Sequence, residues 1–318
     1  MQPTRPTSSV VSRATSSPWH AGEREAQLRA GFAGSSGGAI RAAMPDQHRA
    51  FFAQLPYVIV GSIEPRRHSA ALTSGGKPRP SIDAGAPVAA IWTGAPGFVT
   101  TPDPETLELA VALDPADPAS PAFTPGAPFG LLGIELPTRR RNRANGTIVA
   151  VAPDRITVAV HQSFGNCPQY IHPRELRPTA AVPAPTTQLT ALDDAARAAI
   201  RRADTFFVAT AARLDEPTGG VDVSHRGGPA GFVRVAGDVL TIPDYRGNRY
   251  FNTLGNLVSQ PRAALLFADF ASGDLLHLQG TTEIAWHPDE ALPGAERLWR
   301  LHVDHAWRRP GALALRTS

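Results

Sequence analysis

One short segment combines an arginine with three asparagines at a spacing that suits an anionic group. Asn248 and Arg249 are adjacent, and Asn252 and Asn256 are four residues apart, so the last two would share a helix face. We expect Arg249 to open this helix, where a guanidinium and free backbone N–H groups together bind phosphate well. The alternative is a solvated helix start that asparagine merely caps.

A second polar segment, residues 221–228, reads VDVSHRGG. Its pattern predicts a strand that ends at Arg226, and the two following glycines permit a close approach of the backbone to a ligand. His225 either faces a bound ring or substrate, or is a polar residue at a strand end. A charged turn that closes a strand is the alternative for the whole segment.

The earlier half offers polar groups that could close the same site from the opposite side. The candidates are Arg143, Asn145, Gln162, Ser163, Phe164, Asn166 and Cys167. The basic run at 139–143 (RRRNR) is a solvated hairpin, a part of an anion pocket, or a nucleic-acid surface. A single short run without interleaved aromatic residues is weak evidence for the last of these, and we predict no nucleic-acid partner.

Thiol and metal chemistry have little support in the sequence. Cys167 is the only cysteine, which excludes a disulfide framework and a multi-cysteine metal site, and we expect it to be a small residue packed near the ligand. The histidines lack the spacing of known metal-binding motifs, so no metal site is predicted.

Composition favours a soluble globular protein of two domains. The chain has 318 residues, of which 42% are hydrophobic and 19% charged, and its formal net charge of +3 is too small to indicate a nucleic-acid partner. No run of apolar residues is long enough for a membrane span. We therefore expect a cytoplasmic location.

An internal repeat divides the chain. GAPGFV at 94–99 matches GPAGFV at 228–233, GLLGIEL at 130–136 matches ALLFADF at 264–270, and NGT at 145–147 matches QGT at 279–281. All three pairs share an offset of 134 residues (97 to 231, 131 to 265 and 146 to 280). A shared offset indicates two copies of one domain.

Strand-like runs at spacings of about ten residues within each copy favour a small barrel or sandwich. Helices are predicted only at 46–55, 192–203 and 250–259. The predicted organisation is an N-terminal arm (1–43, partly disordered), a first copy (44–176), a linker (177–187) and a second copy (188–318). The polar stretch at 64–85 reads as a surface loop.

The segment DYRGNRYFNTLGNLVSQPRAALLF at 244–267 resembles the signature of the pyridoxamine 5'-phosphate oxidase-like FMN-binding split-barrel family. VDVSHRGGPAGFV at 221–233 is similar to the family strand that runs along the flavin ring, and HQSFGNCPQYI at 161–171 to its final strand and tail. Gln169 stands where a lysine is common in the family. The resemblance covers residues 44–315 and implies a mainly β fold of two tandem split barrels that form an intrachain pseudo-dimer.

The resemblance implies an FMN site between the two barrels. Backbone N–H groups of Val223 and Ser224 would meet the ring, and Arg226 the phosphate or the N1 side. The first copy reads TTPDPETLELA after its GFV and has no basic phosphate ligand, so one strong site per chain is expected. The implied cofactor-binding residues are Asp222, Val223, Ser224, His225, Arg226, Asp244, Asn248, Arg249, Asn252 and Asn256, with Arg143, Gln162, Phe164, Asn166 and Cys167 from the first copy.

Two functions follow as hypotheses. The first is an FMN-dependent oxidoreductase that transfers hydride between a small-molecule or pyridine-nucleotide donor and flavin, with the cofactor supplying the chemistry. The second is a non-catalytic flavin or haem carrier or sensor on the same scaffold, because a fold does not fix a function. The family resemblance also allows a homodimer in addition to the intrachain pairing.

Overall fold

The computed structural model describes residues 17–32, 37–64, 85–180, 182–212, 218–289 and 292–317. Residues 1–16 and 33–36 of the predicted arm, and 65–84 of the predicted surface loop, lie outside these ranges. Within them no helix has the length and apolar character needed to cross a membrane. The described residues form mainly antiparallel strands with four short α-helices, which confirms the predicted fold class.

The first sheet has seven strands in the order β2-β1-β5-β6-β7-β4-β3. Two helices precede it. The elements are α1 (Ala21–Arg29), α2 (Asp46–Ala53), β1 (Tyr57–Ile63), β2 (Pro87–Thr93), β3 (Val99–Asp103), β4 (Thr106–Leu109), β5 (Pro128–Glu135), β6 (Arg140–Ala152) and β7 (Arg155–Gly165).

The second sheet repeats that order as β11-β10-β14-β15-β16-β13-β12, with β9 added beside β16. Its elements are β9 (Thr187–Leu189), α3 (Asp194–Arg202), β10 (Thr205–Ala211), β11 (Val221–Gly227), β12 (Arg234–Ala236), β13 (Val239–Tyr245), α4 (Asn252–Ser259), β14 (Arg262–Ala268), β15 (Leu275–Ala285) and β16 (Ala295–Arg309). A separate pair joins β8 (Leu176–Pro178) to β17 (Leu315–Thr317). The segment predicted as a linker is thus paired at both ends, through β8 and β9.

The β6–β7 pairing of the first sheet and the β15–β16 pairing of the second contain a matching irregularity. The strand register shifts between Asn145 and Gly146 in β6 and between Gln279 and Gly280 in β15. A Cβ atom at either glycine would lie 2.0 Å from a carbonyl oxygen of the facing strand, so only glycine fits. These positions are related by the 134-residue offset of the sequence repeat.

The central strands are buried on both faces, which explains their nearly continuous apolar sequence. Val58 and Val60 of β1 point into the core of the first sheet, whereas Ile59 packs between the sheets with Phe207 of β10. Full burial of each such side chain is worth roughly 1.5–3 kcal/mol. The apolar layer between the sheets therefore holds the two halves together and fixes the groove at its edge.

The predicted helices at 46–55, 192–203 and 250–259 are confirmed as α2, α3 and α4, each with slightly shorter bounds. Helix α1 was not predicted. It has a capping box in which the His20 side chain accepts from the Gly22 N–H and the Glu23 carboxyl accepts from the His20 N–H. Both side chains are 3% exposed, so this helix is an integral part of the fold.

Candidate functional site

A pocket opens at the edge of the groove between the two sheets. Strand β6 of the first sheet forms one wall, and β11, β13 and the turn before α4 form the other. Its empty volume, counted out to the open mouth, is about 830 Å³. It is lined by Arg141, Arg143, Asn166, Gln169, Tyr170, Ser224, His225, Arg226, Gly227, Phe232, Pro243, Asp244, Tyr245, Gly247, Asn248, Arg249, Phe251, Asn252, Thr253, Leu254, Glu296 and Arg297.

Cationic side chains outnumber carboxylates in this lining. The two carboxylates are already committed: Asp244 bridges Arg226 and Arg297 at 2.8 and 3.1 Å, and Glu296 pairs with Arg297 at 2.6 Å. Arg141 and Arg249 have no carboxylate within ion-pair distance among the described residues. The pocket consequently favours an anionic ligand.

Arg143 forms the floor of the pocket. Its guanidinium donates to Ser224 Oγ at 2.8 Å and to Asn252 Oδ1 at 3.2 Å, and lies 3.6 Å from Asp222 Oδ1. Burial lowers the pKa of this guanidinium to about 10, so it remains charged at neutral pH. Because Arg143 lies on β6, its contacts with Asp222, Ser224 and Asn252 join the first sheet to β11 and α4.

Arg141 fixes the protonation state of His225. Its Nη1 lies 3.2 Å from His225 Nδ1, and because a guanidinium can only donate, Nδ1 must accept. Burial, with Arg141 and Arg226 nearby, holds the pKa of His225 well below its usual value. The imidazole is therefore neutral, with its proton on Nε2.

Several buried donors of the pocket-lining residues have no acceptor within the described part of the chain. They are Arg141 Nε, Arg143 Nε, Asn166 Nδ2, His225 Nε2 and Arg226 Nε. A buried donor without a partner is destabilising by about 1–3 kcal/mol. A ligand rich in acceptor atoms would relieve this cost, so the residues fit a flavin ring with its carbonyl and nitrogen acceptors.

The expected phosphate corner differs from the sequence-based prediction in one respect. Arg249 was predicted to open the helix, but α4 begins at Asn252. Arg249 and Phe251 have left-handed φ angles of 62° and 60°, which a helix cannot include. Arg249 instead lies in a tight turn, where Asn248 accepts from the backbone N–H of Tyr250 at 3.1 Å.

The two asparagines on α4 share a face, as predicted, but their amides already have protein partners. Asn256 is fully buried, donates to Asp222 Oδ2 at 2.9 Å and lies 2.8 Å from His20 Nε2. Asn252 donates to Glu23 and accepts from Arg143. These amides support the corner from below. The Asn248 amide donates one N–H to Asn166 Oδ1 at 3.1 Å, so its second N–H, Arg249 and backbone N–H groups remain to meet a ligand.

The predicted site residues divide into two groups. Those that line the pocket are Arg143, Asn166, Ser224, His225, Arg226, Asp244, Asn248, Arg249 and Asn252; those that do not are Asp222, Val223, Asn256, Asn145, Gln162, Ser163, Phe164 and Cys167. Val223 points to the other side of β11, into the layer between the sheets. Phe164 is buried beneath the pocket floor, where the Arg143 guanidinium lies 5.4 Å from its ring. Asp222 belongs to the buried network around Arg143.

Other lining residues were not named as cofactor-binding residues, although the basic run at 139–143 was considered as part of an anion pocket. Tyr170 and Tyr245 stack at 5.2 Å, and Arg141 and Arg297 supply charge. The sequence held a signal for Arg141, because it is two residues from Arg143 and alternate residues of a strand share a face. Arg297 had no local signal; it arrives beside Asp244 only because β16 pairs with β13.

The internal repeat relates this pocket to a second groove between the sheets, and in that groove the corresponding position is filled by protein side chains. His277 and Gln279 of β15, 134 residues after Arg143 and Asn145, bond to the carbonyl oxygens of Ala89 and Pro87 at 3.1 and 2.9 Å. The cavity there has only about 220 Å³ of empty volume, and no arginine is among its described lining residues. Pro118 and Ala119, in the β4–β5 connection, cover it.

Comparison with known proteins finds one family match. The family model described as pyridoxamine 5'-phosphate oxidase matches residues 192–314. No curated protein is similar enough to count as a relative.

Two solved structures illustrate the structural similarities, and both cover only about a third of this chain. A tagged HupZ of Group A Streptococcus is 13% identical, with 36% of this chain and 91% of that chain covered at a TM-score of 0.29. A candidate pyridoxamine 5'-phosphate oxidase from Lactobacillus delbrueckii is 16% identical, with 37% and 97% covered at a TM-score of 0.30. These scores are too low to bear on function.

The family match covers α3 and strands β10 to β16, the part of the chain that supplies β11, β13 and α4 to the pocket. It includes two of the three segments on which the resemblance was based, 221–233 and 244–267, but not the third at 161–171. The similarity to the pyridoxamine 5'-phosphate oxidase family therefore lies in residues 192–314.

Proposed function

We propose that this protein binds FMN in the pocket between its two sheets and acts as an FMN-dependent oxidoreductase. The observation that carries the proposal is the pocket lining, which combines excess positive charge with buried N–H donors that have no acceptor among the described residues. The phosphate would be held by Asn248, Arg249 and the backbone of their turn. The ring would lie toward β11, with Arg141, Arg143 and His225 as donors.

FMN, when bound, supplies the ring that accepts and returns a hydride. The protein contributes donors in a site with little competing negative charge. Arg141 and Arg143 stay charged, and His225 keeps a proton on Nε2, so all three favour negative charge on a reduced ring. No pyridoxamine phosphate specificity is implied by these groups.

The alternative function, a non-catalytic carrier or sensor that binds haem, has less support at this pocket. His225 is the only histidine among the described lining residues, and an iron ligand must offer a free nitrogen lone pair while its other ring N–H donates to an acceptor. Here the other nitrogen faces the donor Arg141. Burial raises the pKa of Tyr170 and of Tyr245, which opposes a phenolate ligand.

Titration of the purified chain with FMN, followed by anaerobic addition of NADH or NADPH, tests the proposal. We expect saturable binding and bleaching of the flavin absorbance by a reduced pyridine nucleotide or by another two-electron donor. Binding without reduction by any donor would favour a flavin carrier. Failure to bind FMN would refute both flavin functions.

We expect one FMN per chain, because the counterpart groove is covered by Pro118 and Ala119 and has no arginine in its described lining. The measurement is flavin absorbance after gel filtration, set against protein concentration from amino-acid analysis. A value near two flavins per chain would contradict the assignment of the covered groove.

Arg249→Ala should weaken FMN binding by about 1.5–3 kcal/mol, through loss of a charge-assisted bond to the phosphate. This corresponds to about a tenfold to hundredfold higher Kd. Riboflavin, which lacks the phosphate, should bind both proteins equally. Arg246→Ala is the matched control, because Arg246 lies in the same connection between β13 and α4 but is not among the residues that line the pocket. Equal FMN affinity for the wild type and Arg249→Ala would place the phosphate elsewhere.

A further inference from the structure

The N-terminal segment at 17–32 packs directly on the helix below the phosphate corner. Helices α1 and α4 cross at Gly22 and Gly255, where their backbones touch. A Cβ atom at Gly22 would lie 2.2 Å from Gly255 O and 2.2 Å from Ser259 Oγ, and one at Gly255 would lie 2.6 Å from Glu23 Cα. The crossing therefore leaves no space for even one methyl group.

Two buried side chains of this segment hold the amides of α4. Asn256 Oδ1 accepts from His20 Nε2 at 2.8 Å, while His20 Nδ1 accepts from Gly22 N, so the histidine is bonded on both sides. Asn252 Nδ2 donates to Glu23 Oε1, which leaves its Oδ1 directed at Arg143. The segment thus sets the orientation of amides that in turn contact the pocket floor.

The same segment contacts each residue of the turn at 249–251. Arg249 lies with its guanidinium 3.8 Å from the centre of the Phe32 ring. The rings of Trp19 and Tyr250 meet edge-on at 5.0 Å, and those of Phe32 and Phe251 stack at 6.2 Å.

This turn needs external support. Arg249 and Phe251 both have left-handed φ angles, and such conformations are unfavourable for residues other than glycine. They persist only where the surroundings stabilise them. The contacts from 17–32 are suited to this, and they act together with Phe164, whose ring lies 6.3 Å from Tyr250, and Arg297, which lies 5.0 Å from the Phe251 ring.

We infer that residues 17–32 form a clamp that fixes the turn at 249–251 and so determines how strongly the pocket distinguishes a phosphorylated ligand from one without phosphate. Gly22, Glu23 and Phe32 act as positioning residues: Glu23 and Phe32 contact the lining residues Asn252 and Arg249, and Gly22 sets the crossing of α1 on α4. The selectivity clause rests on the proposed FMN function. The structural clause, that the segment holds the turn, does not.

Hydrogen–deuterium exchange on the full chain tests the structural clause. The variants are Gly22→Ala, which opens the helix crossing, and Phe32→Ala, which removes the ring beneath Arg249 and serves if the first variant folds poorly. Leu28→Ala is the control, since Leu28 is 59% exposed on the same helix. We expect amides at 250–256 to exchange at least tenfold faster in the first two variants, with β14 unchanged. An equal rise in β14, or no rise at 250–256, would overturn the clamp.

Binding of FMN and of riboflavin to the same variants tests the selectivity clause. We expect FMN affinity to fall at least tenfold while riboflavin affinity stays within twofold, and Leu28→Ala to match the wild type. Equal losses for both ligands, or no loss for FMN, would overturn it. If the wild type bound neither flavin, the proposed function and the selectivity clause would both fail, whereas the exchange result would still decide whether the segment holds the turn.

Discussion

Arg143→Met is expected to destabilise the protein by about 3–5 kcal/mol, since it leaves buried acidic groups without their guanidinium. Arg143 is 6% exposed, and its loss removes the charge next to Asp222 together with donors to Ser224 and Asn252. Methionine keeps much of the packing against Phe164, so the effect reports mainly on charge. Urea denaturation of the protein without added ligand gives the measurement.

Arg155→Met is the matched control for this experiment. Arg155 lies on β7, its side chain is 55% exposed, and its partner Glu108 is 3.9 Å away, so its loss should change stability by at most about 1 kcal/mol. Adding Asp222→Asn to Arg143→Met should recover part of the lost stability, because the unpaired charge disappears with its partner. Equal effects of Arg143→Met and Arg155→Met would show that the buried cluster is not an electrostatic unit.

Glu23→Gln should change the pH dependence of stability more than any other single substitution. Burial, and next the nearby Asp222, raise the pKa of Glu23 from 4.5 to about 8, with Arg143 opposing the shift. Between these two pH values the folded protein retains a proton that the unfolded chain releases. The wild type therefore loses stability as pH rises through this window, with a slope approaching about 1.4 kcal/mol per pH unit.

The variant cannot titrate at this position, so its free energy of unfolding relative to the wild type should increase steadily from pH 5 to pH 8. At pH 5 it should be slightly less stable, because the substitution weakens the bond that the Glu23 carboxyl accepts from the His20 N–H, worth about 0.5–1.5 kcal/mol. The effects of the buried histidines cancel, since both proteins share them. Glu25→Gln, on the exposed face of α1, controls for loss of one negative charge. Parallel pH curves would contradict the prediction.

The sequence predicted local elements well where their signal was local. Helix α4 and strand β11 were expected from capping, proline and alternation patterns, and β1 and β10 from apolar runs. The position of Arg249 was predicted less well, because a left-handed φ at two non-glycine residues has no propensity signal and depends on packing from Phe32 and Trp19.

Site residues were missed or misplaced where their roles depend on distant partners. Asn256 looks like a ligand group in sequence, yet it is enclosed by His20 and Asp222, which lie 236 and 34 residues away along the chain. The pattern of His20 and Glu23 was available as a capping box, but nothing in it indicated which surface the resulting helix would cover. Segments that are close in space and far apart in sequence account for most of these differences.

The pocket takes one of its arginines from β16, close to the end of the chain. Arg297 bonds to Asp244 across the β13–β16 pairing, while Arg141 and Arg143 come from a strand made about 150 residues earlier. During synthesis the chain therefore emerges with one wall long before the other. If the proposed FMN site needs all three arginines, it can form only after β16 has been translated and has paired with β13.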